Sequence, residues 1–128
     1  MKVNGKRVVS RLEEIYQCGK KEDGTFTRMA FSAEDVKGRK LFASWAEALG
    51  MTCRIDEAGN LIARMEGQDE KLPAILMGSH LDTVPDGGKY DGVLGCVGGL
   101  EICETFKEEG YVPRHPIEVI VFTDEEGF

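Results

Sequence analysis

Two short apolar runs, each followed closely by charged residues, constrain the fold of this chain more than any other feature. Residues 74–77 read Ala-Ile-Leu-Met after Pro73, and residues 117–122 read Ile-Glu-Val-Ile-Val-Phe. Runs of this length are typical of buried strands. We therefore predict two buried strands, the first opening into a loop at Gly78. The charged residues then follow the carboxyl ends of the strands, where the sites of open α/β sheets gather.

The residues beyond these two strands are of the kinds that bind divalent metals. His80 and Asp82 follow the first strand, and the acidic triplet Asp124-Glu125-Glu126 follows the second. Zinc prefers imidazole nitrogen and carboxylate oxygen. We predict that His80 binds metal while the Asp82 carboxylate accepts a hydrogen bond from the other ring nitrogen, which fixes the tautomer.

The acidic triplet indicates a bound cation, because adjacent carboxylates in one cleft repel each other unless a cation compensates or one of them is protonated. Two neighbouring glutamates can divide the chemistry, one binding the ion and the other acting as a general base. The residues alone leave open which of Glu125 and Glu126 takes which role.

Asp91 supplies the third part of the predicted site. It precedes an apolar segment, residues 92–102, that predicts a buried helix beginning near Gly92. Glycine is a poor helix former, so the three glycines at 95, 98 and 99 indicate tight packing of this helix against the sheet. Each oxygen of the Asp91 carboxylate can bind one ion, and such bridged ions lie roughly 3.5 to 4 Å apart.

The order His-x-Asp, Asp-Gly, Glu-Glu resembles the dinuclear zinc enzymes of the aminoacylase and bacterial glutamate carboxypeptidase group. Residues 24–32, 56–61 and 78–92 resemble one branch of it, the hydantoinase/carbamoylase family of amidases. That branch includes N-carbamoyl-L-amino-acid hydrolase, β-ureidopropionase and allantoate amidohydrolase. The resemblance extends over almost the whole chain.

The resemblance implies a role for each site residue. His80 would bind one metal, Asp91 would bridge two, Glu126 would bind the second, and Glu125 would be the catalytic general base, with Asp82 in the orienting role. The metals would be two divalent ions, with zinc as the expected metal and manganese, cobalt or nickel as alternatives. The substrate would be a small carbamoyl or ureido compound cleaved at a linear C–N bond. A dipeptidase or aminoacylase, or a non-catalytic metal-binding fragment, are the alternatives.

The resemblance also implies the architecture: an α/β catalytic domain of the zinc-peptidase type, with a mixed sheet flanked by helices. Residues 1–128 would be its N-terminal part. Family members are longer, form homodimers, and bring a lid domain and two more histidine ligands from sequence beyond the second glutamate. His115, the other histidine of this chain, precedes the second strand, and we expect a plain loop residue there.

The remaining sequence predicts the scaffold. Helical spacing indicates a helix from about Asn4 to Cys18 and a second one from Ser32, as a cap, to Gly50. Two strands, at 52–55 and 61–65, are joined around a turn at 58–60. Trp45 is expected in the core, and the acidic residues 66–71 form a solvated loop.

Composition excludes several classes of partner. A net charge of −7 disfavours nucleic acid and anionic membranes. No apolar run reaches the roughly 20 residues that span a bilayer, and the first residues do not begin a signal peptide, so we expect a cytoplasmic protein.

The four cysteines form no C-x-x-C pair, and those at 96 and 103 are expected to be buried thiols. For Arg28, a substrate contact and a salt-bridged loop position stay open.

Overall fold

The computed structural model describes residues 1–127, and these form a mixed sheet flanked by helices, as predicted. The helices are α1 (Gly5–Tyr16), α2 (Ala33–Ala48) and α3 (Val93–Glu108), and the strands are β1 (Thr52–Ile55), β2 (Leu61–Met65), β3 (Ile75–His80) and β4 (Ile117–Phe122). The strand order is β1-β2-β4-β3. β3 and β4 are parallel, and the other two pairs are antiparallel.

Side-chain caps define where the first two helices begin. The Asn4 side chain accepts a hydrogen bond from the backbone N–H of Arg7 (3.2 Å), and the Ser32 side chain accepts one from that of Asp35 (3.1 Å). Each cap satisfies a backbone donor that the first helical turn cannot pair. The predicted cap at Ser32 is confirmed.

An ion pair joins α1 to α3. Glu101 is buried on α3, and the Arg7 guanidinium on α1 donates to both of its carboxylate oxygens, at 2.7 and 2.9 Å. The backbone N–H of Asn4 donates to the same carboxylate (2.7 Å). A buried carboxylate satisfied in this way fixes the position of α1 on the helix that leads away from Asp91.

Helix α3 lies close against the sheet because two of its glycines lack a side chain. A Cβ atom on Gly95 would lie 2.8 Å from Cβ of Ser79, and one on Gly99 would lie 2.9 Å from Cγ1 of Val119. The prediction of tight packing is therefore confirmed at these positions. It is wrong for Gly98, where an added Cβ would meet no atom within 4 Å.

β3 differs from the buried strand that the sequence predicts. It continues past Gly78 to His80, and its first two residues, Ile75 and Leu76, are each 53% exposed. Among residues 1–127, β3 pairs only with β4, so it is an edge strand. β4 lies between two strands and is buried along most of its length, as predicted.

The predicted thiols are confirmed as buried at two positions. Cys96 and Cys103 lie in the core, and burial raises the pKa of both thiols to about 12.

Trp45 is half-buried and packs against the core, with the Arg11 guanidinium 5.5 Å from its ring. In the described part of the chain, no helix has the length and apolar character needed to cross a membrane.

Candidate metal centre

The parallel pairing of β3 and β4 brings two parts of the candidate site to one edge of the sheet. His80, the last residue of β3, is in register with Phe122, the last residue of β4. The acidic triplet therefore begins beside the imidazole. Asp91 lies two residues before α3, which packs on β3, so its carboxylate reaches the same edge.

The structure brings His80, Asp91 and Glu126 together. One nitrogen or oxygen atom from each lies within 4.8 Å of the other two. His80 Nε2 is 4.0 Å from Asp91 Oδ2 and 3.3 Å from Glu125 Oε2. The imidazole is buried, whereas the Asp91 and Glu125 side chains are 67% and 51% exposed. The imidazole thus lies at the buried base of the site, and these carboxylates lie at its solvent-exposed edge.

The chemistry of this group fits a divalent cation. One imidazole nitrogen with carboxylate oxygens is a donor set that zinc accepts. A hydrogen bond to the Asp91 carboxylate, together with burial and repulsion from the same carboxylate, raises the pKa of Glu126 above its ordinary value. A cation between these carboxylates would remove that repulsion.

Gly92 lies directly over the ring of His80. Its backbone has φ 68°, a left-handed conformation that glycine adopts without strain. A Cβ atom at this position would lie 2.4 Å from His80 Nε2 and 2.5 Å from both Cδ2 and Cε1, which places it over the plane of the ring. The absence of a side chain at Gly92 therefore lets the main chain before α3 pass directly over the His80 imidazole.

The imidazole of His80 is oriented by a different group from the one predicted. Its Nδ1 lies 2.8 Å from the backbone carbonyl oxygen of Asp82 but 3.7 Å from the nearest carboxylate oxygen of that residue. Because a carbonyl oxygen only accepts, the neutral form of the ring carries its proton on Nδ1 and leaves the lone pair of Nε2 free. The predicted hydrogen bond from the ring to the Asp82 carboxylate is wrong.

The Asp82 carboxylate is held by another donor. The backbone N–H of Glu126 donates to Asp82 Oδ2 (3.0 Å), and the side chain is only 3% exposed. Asp82 therefore joins the loop after β3 to the loop after β4. This link positions Glu126 relative to His80.

The loop after β4, which carries the acidic triplet, is held by a second set of hydrogen bonds that the sequence did not reveal. The backbone N–H of Thr123 donates to the Asn60 side-chain oxygen (2.9 Å), and the Thr123 hydroxyl donates to the Gly59 carbonyl. Asp124 has φ 54°, a left-handed conformation that aspartate tolerates better than most residues. Residues 58–60 were predicted as a turn, but nothing in that pattern indicated that Gly59 and Asn60 hold the end of β4 at Thr123.

The other histidine and Arg28 lie outside the metal group. His115 precedes β4, at the opposite end of that strand, and its Nδ1 lies 2.8 Å from the Pro73 carbonyl oxygen. Arg28 is fully buried, and its guanidinium donates to backbone carbonyl groups. Of the two alternatives left open for Arg28, the salt-bridged loop position is wrong, because the guanidinium pairs with carbonyl groups and no carboxylate within residues 1–127 lies at salt-bridge distance.

Comparison with known proteins identifies the family. A family model described as peptidase family M28 matches residues 60–128. The N-carbamoyl-L-amino acid amidohydrolase of Geobacillus stearothermophilus is 45% identical over 125 residues, which are 98% of this chain and 31% of that protein. The ureidoglycolate hydrolase of Arabidopsis thaliana is 32% identical over 126 residues, which are 98% of this chain and 26% of that protein.

A solved structure shares the fold over almost all of this chain. The crystal structure of a hydantoinase/carbamoylase family amidase from Burkholderia ambifaria matches with a TM-score of 0.94 and 40% identity, over 97% of this chain and 31% of that one. The chain thus spans less than a third of the length of these relatives. With more than half of its residues in the family match, the chain belongs to peptidase family M28, and the predicted resemblance to the hydantoinase/carbamoylase amidases is confirmed.

Proposed function

We propose that this chain is the N-terminal part of a metal-dependent amidohydrolase that cleaves a linear C–N bond in a carbamoyl or ureido compound. The observation that carries the proposal is the convergence of His80, Asp91 and Glu126 at one edge of the sheet, with Glu125 beside them. The names of the relatives give the substrate class: N-carbamoyl-L-amino acids for one and ureidoglycolate for the other.

The proposed cofactors are two divalent ions, with zinc as the first choice. His80 and Asp91 would hold one ion, and Asp91 and Glu126 the other. When bound, such ions polarise a substrate carbonyl and lower the pKa of water. Distances alone do not order the two glutamates, since an oxygen of Glu125 lies 3.3 Å from His80 Nε2 and an oxygen of Glu126 lies within 4.8 Å of a ring nitrogen of His80. The order rests on the family resemblance.

Glu125 is the proposed general base. Its side chain is half exposed at the rim of the site, where substrate and water have access. The carboxylate takes a proton from the attacking water as oxygen bonds to the carbonyl carbon. It then returns that proton to the leaving nitrogen as the C–N bond breaks.

Replacing Glu125 with glutamine is expected to lower kcat by about 100-fold to 10,000-fold, the range for a lost general base. Glutamine keeps the shape of the side chain but cannot take the proton. The metal content should not change, because Glu125 is outside the proposed ligand set. Turnover and elemental analysis of the complete gene product measure both effects.

Glu126→Gln is the matched control, because it alters the neighbouring residue by the same chemical change. It is expected to lower the metal content as well as the activity. A Glu125→Gln variant that retains wild-type turnover would show that another group is the base.

The substrate class is tested by comparing kcat/KM for N-carbamoyl-L-amino acids, ureidoglycolate, N-acyl-amino acids and dipeptides. The proposal predicts the highest values for the first two. A dipeptidase is the second candidate, and the match to a peptidase family favours it. Preference for dipeptides would support that candidate, and metal binding without hydrolysis of any of these would support a non-catalytic role. Homodimeric assembly and cytoplasmic location stay predictions.

A further inference from the structure

Arg28 is a buried cation surrounded by backbone carbonyl groups. Its side chain has 0% exposure, and within residues 1–127 no carboxylate lies at salt-bridge distance. Nε donates to the Leu81 carbonyl (2.7 Å), and Nη1 donates to the carbonyls of Ile15 and Cys18 (2.8 Å each). The guanidinium also lies 5.0 Å from the ring of Phe26. It therefore joins the C-terminal end of α1 to the loop after β3.

The loop that Arg28 holds is the loop of the metal centre. Leu81 lies between His80 and Asp82. The main chain of Arg28 binds the same loop, because its N–H donates to the Thr83 hydroxyl (2.8 Å) and its carbonyl accepts from the Thr83 N–H (2.8 Å). One residue thus fixes the peptide groups on both sides of Asp82, whose carbonyl orients the His80 imidazole.

A buried cation is costly, and packing alone does not require one. An uncompensated charge loses its hydration, and even buried ion pairs can often be replaced by apolar residues of similar volume without loss of stability. Burial lowers the pKa of the Arg28 guanidinium, and attraction to groups that include Asp35 and Asp82 opposes that effect. The fork of donors on arginine can reach several carbonyl oxygens from one rigid plane, which an apolar side chain cannot do.

We propose that Arg28 is a positioning residue of the metal centre, which holds the Leu81 carbonyl so that His80 presents Nε2 to the metal. The inference rests on the proposed metal-binding function of His80. Arg28 would touch neither metal nor substrate and would act through the conformation of the loop at residues 80–83.

The test measures Zn²⁺ affinity of the complete gene product by competition with a chelator, for wild type, Arg28→Lys and Arg28→Met. Loss of an outer-shell partner of a metal ligand typically weakens binding 10-fold to 100-fold. We expect a loss of about this size for Arg28→Met. Arg28→Lys should lose less, because it keeps the charge but cannot reproduce the fork.

A second readout is the tautomer of His80 in the metal-free protein, followed by nitrogen NMR of the imidazole. Wild type should show one tautomer, with the proton on Nδ1. Arg28→Met should show a mixture of both, because the Leu81 carbonyl is no longer held and the loop that carries the Asp82 carbonyl can shift. His115, bonded to Pro73 at the other end of β4, serves as an unchanged reference.

Two controls separate positioning from loss of stability. Phe42→Leu alters a fully buried side chain on α2, and Arg114→Met removes an exposed guanidinium near the start of β4. Both should keep wild-type Zn²⁺ affinity, although the first should lower the stability of the fold. If Phe42→Leu weakened Zn²⁺ binding as much as Arg28→Met, loss of stability alone would explain the effect and the proposal would be overturned.

Gly38→Ala keeps the proposal testable if the Arg28 variants do not fold. A Cβ atom at Gly38 would lie 3.1 Å from Cδ of Arg28, so the methyl group requires the Arg28 side chain to shift by a few tenths of an ångström without removing it. Alanine also favours the helix, so a several-fold loss of Zn²⁺ affinity with stability retained would support positioning. Wild-type affinity together with a single His80 tautomer in the variants would overturn the proposal and leave the metal centre intact. No Zn²⁺ binding by wild type would overturn the proposed function itself.

Discussion

Replacing Gly92 with alanine is expected to abolish metal binding at His80. The new methyl carbon would lie 2.4 Å from Nε2 and 2.5 Å from both Cδ2 and Cε1, well inside contact distance, so the ring cannot keep its position. The backbone at this position has φ 68°, which adds strain of about 1 to 3 kcal/mol for a residue with a side chain. Either the imidazole moves or the start of α3 moves, and both separate His80 from Asp91.

The measurement is zinc content and kcat of the complete gene product with Gly92→Ala beside Gly98→Ala. The control places the same methyl group on the same helix, where it meets no atom within 4 Å. Removing a glycine from a helix interior should stabilise the protein by about 0.5 to 1 kcal/mol and leave metal content unchanged. Wild-type zinc content in Gly92→Ala would contradict the assignment of His80 Nε2 as a ligand.

Replacing Gly78 with alanine is expected to have the largest effect on stability. Gly78 pairs with Ile120 in the parallel ladder, and a Cβ atom there would lie 2.0 Å from the Ile120 carbonyl oxygen. The neighbouring atom belongs to the backbone of the central strand, so a change of rotamer cannot relieve the clash. At φ 137° the position is also strained for any other residue.

The expected loss is about 3 kcal/mol or more, from overpacking and backbone strain together. That is a large fraction of the roughly 5 to 15 kcal/mol that stabilises a typical domain. Soluble yield and the midpoint of thermal unfolding measure it. Ser79→Ala, the next residue of the same strand, adds no atoms and should remain close to wild type. A Gly78→Ala protein with an unchanged midpoint would show that β3 and β4 are not paired in this register.

Much of the fold was predictable from the sequence, because local residue patterns determine where most of the strands begin and end. β1, β2 and β4 lie at the predicted residues, since each is a short run bounded by turn residues. The edge position of β3 was not predictable in the same way. An apolar run looks alike in a central and an edge strand, and only the pairing with distant residues distinguishes the two.

The convergence at the site was predictable, but the contacts that orient it were not. His80 and the acidic triplet meet because the carboxyl ends of neighbouring parallel strands lie at one edge. The hydrogen bond from His80 to the Asp82 carbonyl depends on the loop conformation, and every residue type has such a carbonyl. For the same reason, residue type alone did not identify Leu81 as the partner of Arg28.

Elemental analysis of the complete gene product tests most directly the proposal that His80, Asp91 and Glu126 bind metal. Wild type and Asp91→Ala would be dialysed against Zn²⁺ and then compared. Two tightly bound ions per chain are expected in wild type, with the loss of both in Asp91→Ala, because the Asp91 carboxylate would be a ligand of each ion in the proposed site. Equal zinc content in the two proteins, or none in wild type, would contradict it.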